Sequence, residues 1–160
     1  MNLASPRSLF FLAFLACAAM LGSGFYLQYV IGLEPCPLCI LQRIFFAGAG
    51  LFALIAALHG RGRRAYSLLI LLSSLAGAGT AGRQIWLQTL PADQLPACLP
   101  PLDYMMQTMP YADVLWTMFH GSADCAEVNW TLLSLSIPEW SLLAFVAFSL
   151  FALIQFFRRG

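Results

Sequence analysis

The chain holds 160 residues, of which 61% are hydrophobic and 9% charged, with a mean hydropathy of +0.79. Such values exclude an ordinary soluble domain and mark a single integral membrane domain spanning 1–160. The net charge of +1, with no lysine among the cations, leaves no basic surface for nucleic acid, and no nucleic-acid partner is expected.

Four segments, at 9–31, 40–58, 66–87 and 142–157, are apolar for long enough to be predicted as transmembrane helices, since a hydrocarbon core of roughly 30 Å takes about 20 helical residues. The first follows Arg7. Its apolar stretch exceeds that of a secretory signal and no A-x-A-like site follows it, so a retained helix is expected. Cys17 lies inside this span among Leu15, Ala16, Ala18 and Ala19, where a free cysteine behaves as a small hydrophobe.

A short loop at 32–39 comes next, and across its border into the second span runs "EPCPLCILQR". The Cys36 and Cys39 pair is a zinc half-site, a redox dithiol or a chance spacing, and only the rest of the chain decides. Pro35 and Pro37 disfavour helix through this turn, so the second helix is expected to begin just after the pair. Cys39 then sits at a helix N-terminus, whose free N–H groups and dipole stabilise a thiolate. Arg43 follows by four residues, on the same helical face and one turn deeper. An arginine at this edge of the membrane needs a reason beyond anchoring.

Past the loop at 59–65 and the third span, where Arg83 is either an anchor or part of a polar pocket, comes a long second loop at 88–141. It carries Cys98 and Cys125, and loops of this length without obvious structure are often functional. Within it "YADVLWTMFH", Tyr111 to His120, puts Val114, Leu115, Met118 and Phe119 on one helical face. A membrane-surface helix is one expectation and a hairpin packed on its own loop the other. His120, an isolated histidine, is expected to line a loop surface. The last span is short, helped by Trp140 and Ser141 at the interface and by snorkelling of the terminal arginines.

Arg7, Arg61, Arg63, Arg64, Arg158 and Arg159 all fall at the two termini and the 59–65 loop, which the positive-inside rule makes cytoplasmic. All seven acids fall in the other two loops or at their edges. Four of the five cysteines therefore face outward, into a compartment where disulfides persist. The expected fold is an all-α membrane protein, a four-transmembrane-helix bundle with two outward-facing loops, surrounded by membrane lipid.

"PCPLCILQR", the lone "ACLP" cysteine and "DCAEVNWTLLSLSIPEW" before the last helix together make the chain resemble the disulfide bond formation protein B (DsbB) family along nearly its whole length. The resemblance implies a bacterial inner-membrane oxidoreductase that reoxidises a periplasmic DsbA-like thiol oxidase and passes electrons to the quinone pool, ubiquinone or menaquinone. It implies that Cys36 and Cys39 are the quinone-linked pair, Cys98 and Cys125 the pair that meets the soluble partner, and Arg43 the arginine beside the quinone. Two positions depart from the family pattern. The Pro37-Leu38 interior of the CxxC tunes its potential, and Gln42, where an acidic residue occurs in relatives, is expected to change little.

Three other classes compete. A relative on the same fold could serve one dedicated partner. A zinc site could use all four outward cysteines, although Cys98 and Cys125 are spaced far wider than a usual second ligand pair. The last is a purely structural membrane scaffold.

Overall fold

The structure, a computed structural model, describes residues 5–100, 102–128 and 130–158. Arg159 of the terminal arginine group lies outside the described residues. Four helices are long and apolar enough to cross a membrane: α1, Pro6–Tyr29; α2, Pro37–His59; α3, Arg63–Gln88; and, at the end of the chain, Ile137–Phe157. Each begins before the apolar span read from the sequence, while α1 ends two residues short of it at Tyr29.

Local chemistry explains the extra turns. Ser5 caps α1 by accepting the Ser8 N–H at 3.3 Å, with Pro6 at the first helical position. Pro37 does the same for α2: instead of keeping the turn out of the helix it opens it, because the first turn needs no N–H and favours the proline φ. Gly60 ends α2 at φ 65°, with the Arg7 guanidinium against it where any side chain would sit. The last helix starts at Ile137 because the Glu139 carboxylate accepts both the Ser136 N–H at 2.6 Å and the Ser136 hydroxyl at 2.8 Å.

Between α3 and the last helix lie two short helices, α4 (Leu102–Thr108) and α5 (Tyr111–His120), and a two-stranded antiparallel hairpin, β1 (Thr131–Leu132) with β2 (Leu135–Ser136). The last helix is accordingly α6. The hairpin turns through Leu133 and Ser134, both at positive φ, which suits a two-residue turn. Trp140 fastens it to α6 by donating its indole N–H to Leu132 O at 3.1 Å.

Packing follows chain order, α1 on α2, α2 on α3, and α3 along α6. Membrane helices gain no hydrophobic drive from one another, so close approach through small residues has to supply the attraction. Ala49, Ala53, Ala56 and Ala81 line the core with Phe10, Ile70, Phe145 and Phe148. Cys17 is buried here, under Gly50. Gly77 makes a close approach within this core, its face covered by the Phe145 ring, which stacks on Phe46 with centroids 3.9 Å apart. Gly77→Ala should lower the thermal midpoint in detergent, by the about 1–3 kcal/mol typical of overpacking. Gly79→Ala, whose added carbon meets nothing within 4 Å, should leave it unchanged or higher.

A second, smaller core caps the end of the bundle opposite the chain termini. Leu38 and Leu41 of α2, Leu87 of α3, Met105 of α4, and Val114 and Met118 of α5 enclose Cys36 and Cys125. The segment expected to be helical is so, but its faces divide differently: Val114 and Met118 are buried, whereas Leu115, Trp116 and Phe119 are exposed.

Candidate functional site

Three of the four loop cysteines converge at the N-terminus of α2. Cys36 is its N-cap, and its sulphur accepts the Cys39 N–H at 3.4 Å. The Cys36 and Cys39 sulphurs are 3.0 Å apart, and the Cys36 thiol is also hydrogen-bonded to Cys125. Cys36 is thus central, with Cys125 on one side and Cys39 on the other. All five cysteines are free thiols in this structure; Cys98 is exposed and lies outside the cluster. Among the described residues no metal-ligand group of three or more forms, so the four-cysteine zinc arrangement is not assembled.

The helix N-terminus serves two sulphurs. Cys39 occupies the third helical position, inside the helix rather than just ahead of it as expected, and the Leu38 N–H donates to Cys125, which the sequence gave no reason to place there. The Cys125 thiol is held below its ordinary value, first by the hydrogen bond from Cys36 and then by the Leu38 and Ser122 N–H groups and the Ser122 hydroxyl, which together outweigh burial. The Cys36 thiol is pushed far up, because it donates to Cys125 and Cys39 and is buried. Of this pair Cys125 is the thiolate and Cys36 the proton-bearing sulphur.

Cys125 reaches this place through Gly121, at φ 77° and ψ 177°, a conformation essentially reserved to glycine. A side chain there would also strike Leu87 at 2.7 Å and Leu38 at 2.9 Å. The turn Ala123–Cys125 follows directly and buries its cysteine completely. Arg83 adds a clasp: it donates to His120 O at 3.2 Å while lying over the Trp86 ring at 4.3 Å. Gly121→Val should unseat the segment. In the reduced protein, maleimide labelling of Cys125 should quicken about tenfold or more, while labelling of exposed Cys98 stays constant.

Arg43 shares the helix with Cys39 but reaches the other way. Its guanidinium donates to Gln28 Oε1 and to Gly24 O at 2.8 Å, both on α1, and lies 5.2 Å from the centre of the Phe25 ring. Those two bonds use two of five N–H donors. Phe25, Tyr26, Tyr29 and Ile44 are exposed around it on the flank of the bundle. Cys39 instead faces α3, where Gln84 donates to its sulphur at 3.4 Å. Gln42, expected to matter little, is buried and donates to Gln84 Oε1 at 2.8 Å. Gln84 carries no expectation from the sequence, though an amide inside an apolar span is itself a signal.

A cleft of about 50 Å³ opens beside Cys36 and Cys39, bordered by Gln84, Gln88, Glu34, Asp124 and Glu127. It has room for a few water molecules. On the open flank, by contrast, the Arg43 guanidinium, a cation with spare N–H donors, borders exposed aromatic side chains.

Residues 6–155 match the family model described as Disulfide bond formation protein DsbB. The chain is 61% identical over 163 residues to Disulfide bond formation protein B 1 of Pseudomonas aeruginosa, covering all of both chains. It is 54% identical to Disulfide bond formation protein B of Stutzerimonas stutzeri, over 99% of each chain. The protein of that name from Methylococcus capsulatus is 46% identical over 99% of this chain and 98% of its own.

Proposed function

The chain belongs to the DsbB family of disulfide bond formation proteins, multi-pass membrane oxidoreductases, and we propose that it oxidises a DsbA-like thiol oxidase and reduces a quinone. The proposed setting is the bacterial inner membrane, with both termini cytoplasmic and the cysteine end periplasmic. The distribution of arginines supports that orientation. The observation that carries the reading is the placing of Cys36 between Cys125 and Cys39 at the membrane edge, because a relay needs one sulphur that is attacked from one side and released from the other.

The relay balances as follows. A partner thiolate attacks Cys98 of a Cys98–Cys125 disulfide, and Cys125 leaves as a thiolate. Cys125 moves into its seat below Gly121 and attacks Cys36 of a Cys36–Cys39 disulfide. A Cys36–Cys125 bond forms, the Cys36–Cys39 bond breaks, and the electron pair passes to Cys39. The partner's second thiolate then attacks its own sulphur in the mixed disulfide and frees Cys98. Cys98 attacks Cys125, restoring their bond and releasing Cys36. The partner has lost two electrons, and Cys36 and Cys39 have gained them. A quinone held near Cys39 and Arg43 supplies the two-electron acceptor that restores the pair.

The exposed face of α5, with Tyr111, Leu115, Trp116 and Phe119, suits the membrane surface and would keep the loop low while the Cys98 segment moves. The test mixes purified protein with reduced thioredoxin-like candidates and with ubiquinone or menaquinone, and follows quinone absorbance. One quinol should appear per partner disulfide. Partner oxidation at full rate without quinone consumption would overturn the reading.

Arg43→Ala should weaken quinone use far more than thiol exchange, because the guanidinium lies toward α1 and the flank rather than toward Cys36. Turnover should fall about a hundredfold, the usual cost of one charge-stabilising donor, and apparent quinone affinity should fall too. Arg43→Lys should recover part of this, since it keeps the charge but loses the planar fork. Quinone-concentration curves, run beside partner oxidation by enzyme already carrying both disulfides, read the two effects separately.

A further inference from the structure

Gln84 takes no covalent part in the relay, yet the residue is 4% exposed and its carboxamide touches the sulphur on which the electrons arrive. Its Nε2 lies 3.4 Å from Cys39 Sγ, and its Oε1 lies 3.6 Å from the same atom. A primary amide offers both a donor and an acceptor, so it meets either state of that sulphur: the thiol donates to Oε1, and the thiolate accepts from Nε2.

Gln42 pairs with the amide in the orientation the structure shows. Its Nε2 donates to Gln84 Oε1 at 2.8 Å, and Gln42 is 3% exposed. Flipping Gln84 would set two NH₂ groups against each other in a buried place and turn the carbonyl toward the sulphur. Cys36 has no such partner. Its sulphur contacts are the two other sulphurs and the Cys39 N–H.

We propose that Gln84 is a catalytic residue that makes Cys39, rather than Cys36, the leaving sulphur, and that Gln42 is the positioning residue that fixes its amide. When Cys125 attacks Cys36, the Cys36–Cys39 bond breaks and its electron pair goes to Cys39, where charge develops against the Gln84 N–H. No proton is transferred; the amide keeps its own. A neutral donor stabilises the departing thiolate without holding it as tightly as a cation would, which leaves it reactive toward an acceptor. The inference deepens the proposed function and rests on it for the direction of electron flow.

The test needs neither partner nor quinone. Reduced protein in detergent is alkylated with iodoacetamide across a pH series, and the rate at Cys39 is read by peptide mass spectrometry. In Gln84→Leu the Cys39 midpoint should move upward by about one to two pH units. Gln84→Glu, nearly the same shape, should move it at least as far, because a carboxylate repels the thiolate. Gln42→Leu should shift it in the same direction by less. The exposed Cys98 profile should stay put in all three. Should Gln84→Leu fail to fold, Gln84→Glu carries the test alone. An unmoved Cys39 midpoint in the folded variants overturns the assignment and leaves quinone reduction by the wild type intact. Failure of the wild type to reduce quinone instead counts against the proposed function and does not alter the alkylation curve.

Discussion

Replacing Cys36 or Cys39 with serine should abolish quinone reduction, with turnover falling about a thousandfold or more. A hydroxyl in either place can neither form the disulfide nor leave as a stable anion. The two losses should differ in kind. Without Cys39, Cys36 is a lone thiol beside Cys125 and can only join an unproductive disulfide. Without Cys36, the Cys125 thiolate meets no electrophile and electrons stop in the second loop. Cys17→Ser is the contrast. That sulphur is buried in the α1–α2 core under Gly50, with no path to the relay. Its turnover should stay near normal while the thermal midpoint drops, because a buried hydroxyl without a partner costs about 1–3 kcal/mol. Turnover and unfolding measured on the same preparations separate the roles, and full turnover by Cys39→Ser would remove that thiolate from the mechanism.

Cys125→Ser should accumulate a covalent complex with the partner, held through Cys98. The exposed Cys98 can still be engaged, while the thiolate that passes the electrons onward is gone. Because the variant cannot form its own Cys98–Cys125 bond, Cys98 must first be oxidised by a small-molecule disulfide. A non-reducing gel should then show an adduct that reductant dissolves, and peptide mapping should place the partner on Cys98. Trapping through Cys36 instead would reverse the entry site. The same lowered thiol predicts a pH dependence for the fully reduced protein, in which the Cys36 thiol is free to donate to Cys125. A thiolate persists above its own value and is lost as pH falls through it. Alkylation of Cys125 in the reduced protein should therefore hold its rate down through the ordinary thiol range near about 8.5 and decline only in more acid solution.

The spans were legible because composition alone demands them, and their ends were not, because the caps are polar. Ser136, Glu139 and Trp140 read as loop, yet the Glu139 carboxylate closes on Ser136 and starts α6 at Ile137. Pro37 was read as a breaker and is a starter, since the same ring that excludes helix interiors fits the first turn. On α5 the periodic face was off by one flank: only Val114 and Met118 are buried, a choice made by where α2 and α3 lie.

At the site, the CxxC pair and the helix N-terminus could be read locally. The convergence of Cys125 on Cys36 could not, because it depends on Gly121 fitting beneath Leu38 and Leu87, contacts more than thirty residues apart in sequence. Arg43 shows a subtler limit. A spacing of four leaves side chains about 40° apart around a helix, enough for Cys39 to meet α3 and Arg43 to meet α1. Gln42 and Gln84 carried a signal in their own polarity, masked by the charged Arg43 and Arg83 beside them.

The proposed relay passes electrons from Cys125 to Cys36 and leaves them on Cys39. It is tested most directly by mixing quinone-depleted protein bearing both disulfides with excess reduced partner, quenching in acid within the first turnover, alkylating, and mapping every cysteine. The relay predicts one species with the partner joined to Cys98, a Cys36–Cys125 disulfide and a free, alkylated Cys39. A species joining Cys125 to Cys39 with Cys36 free, or one with the partner on Cys36, would contradict it.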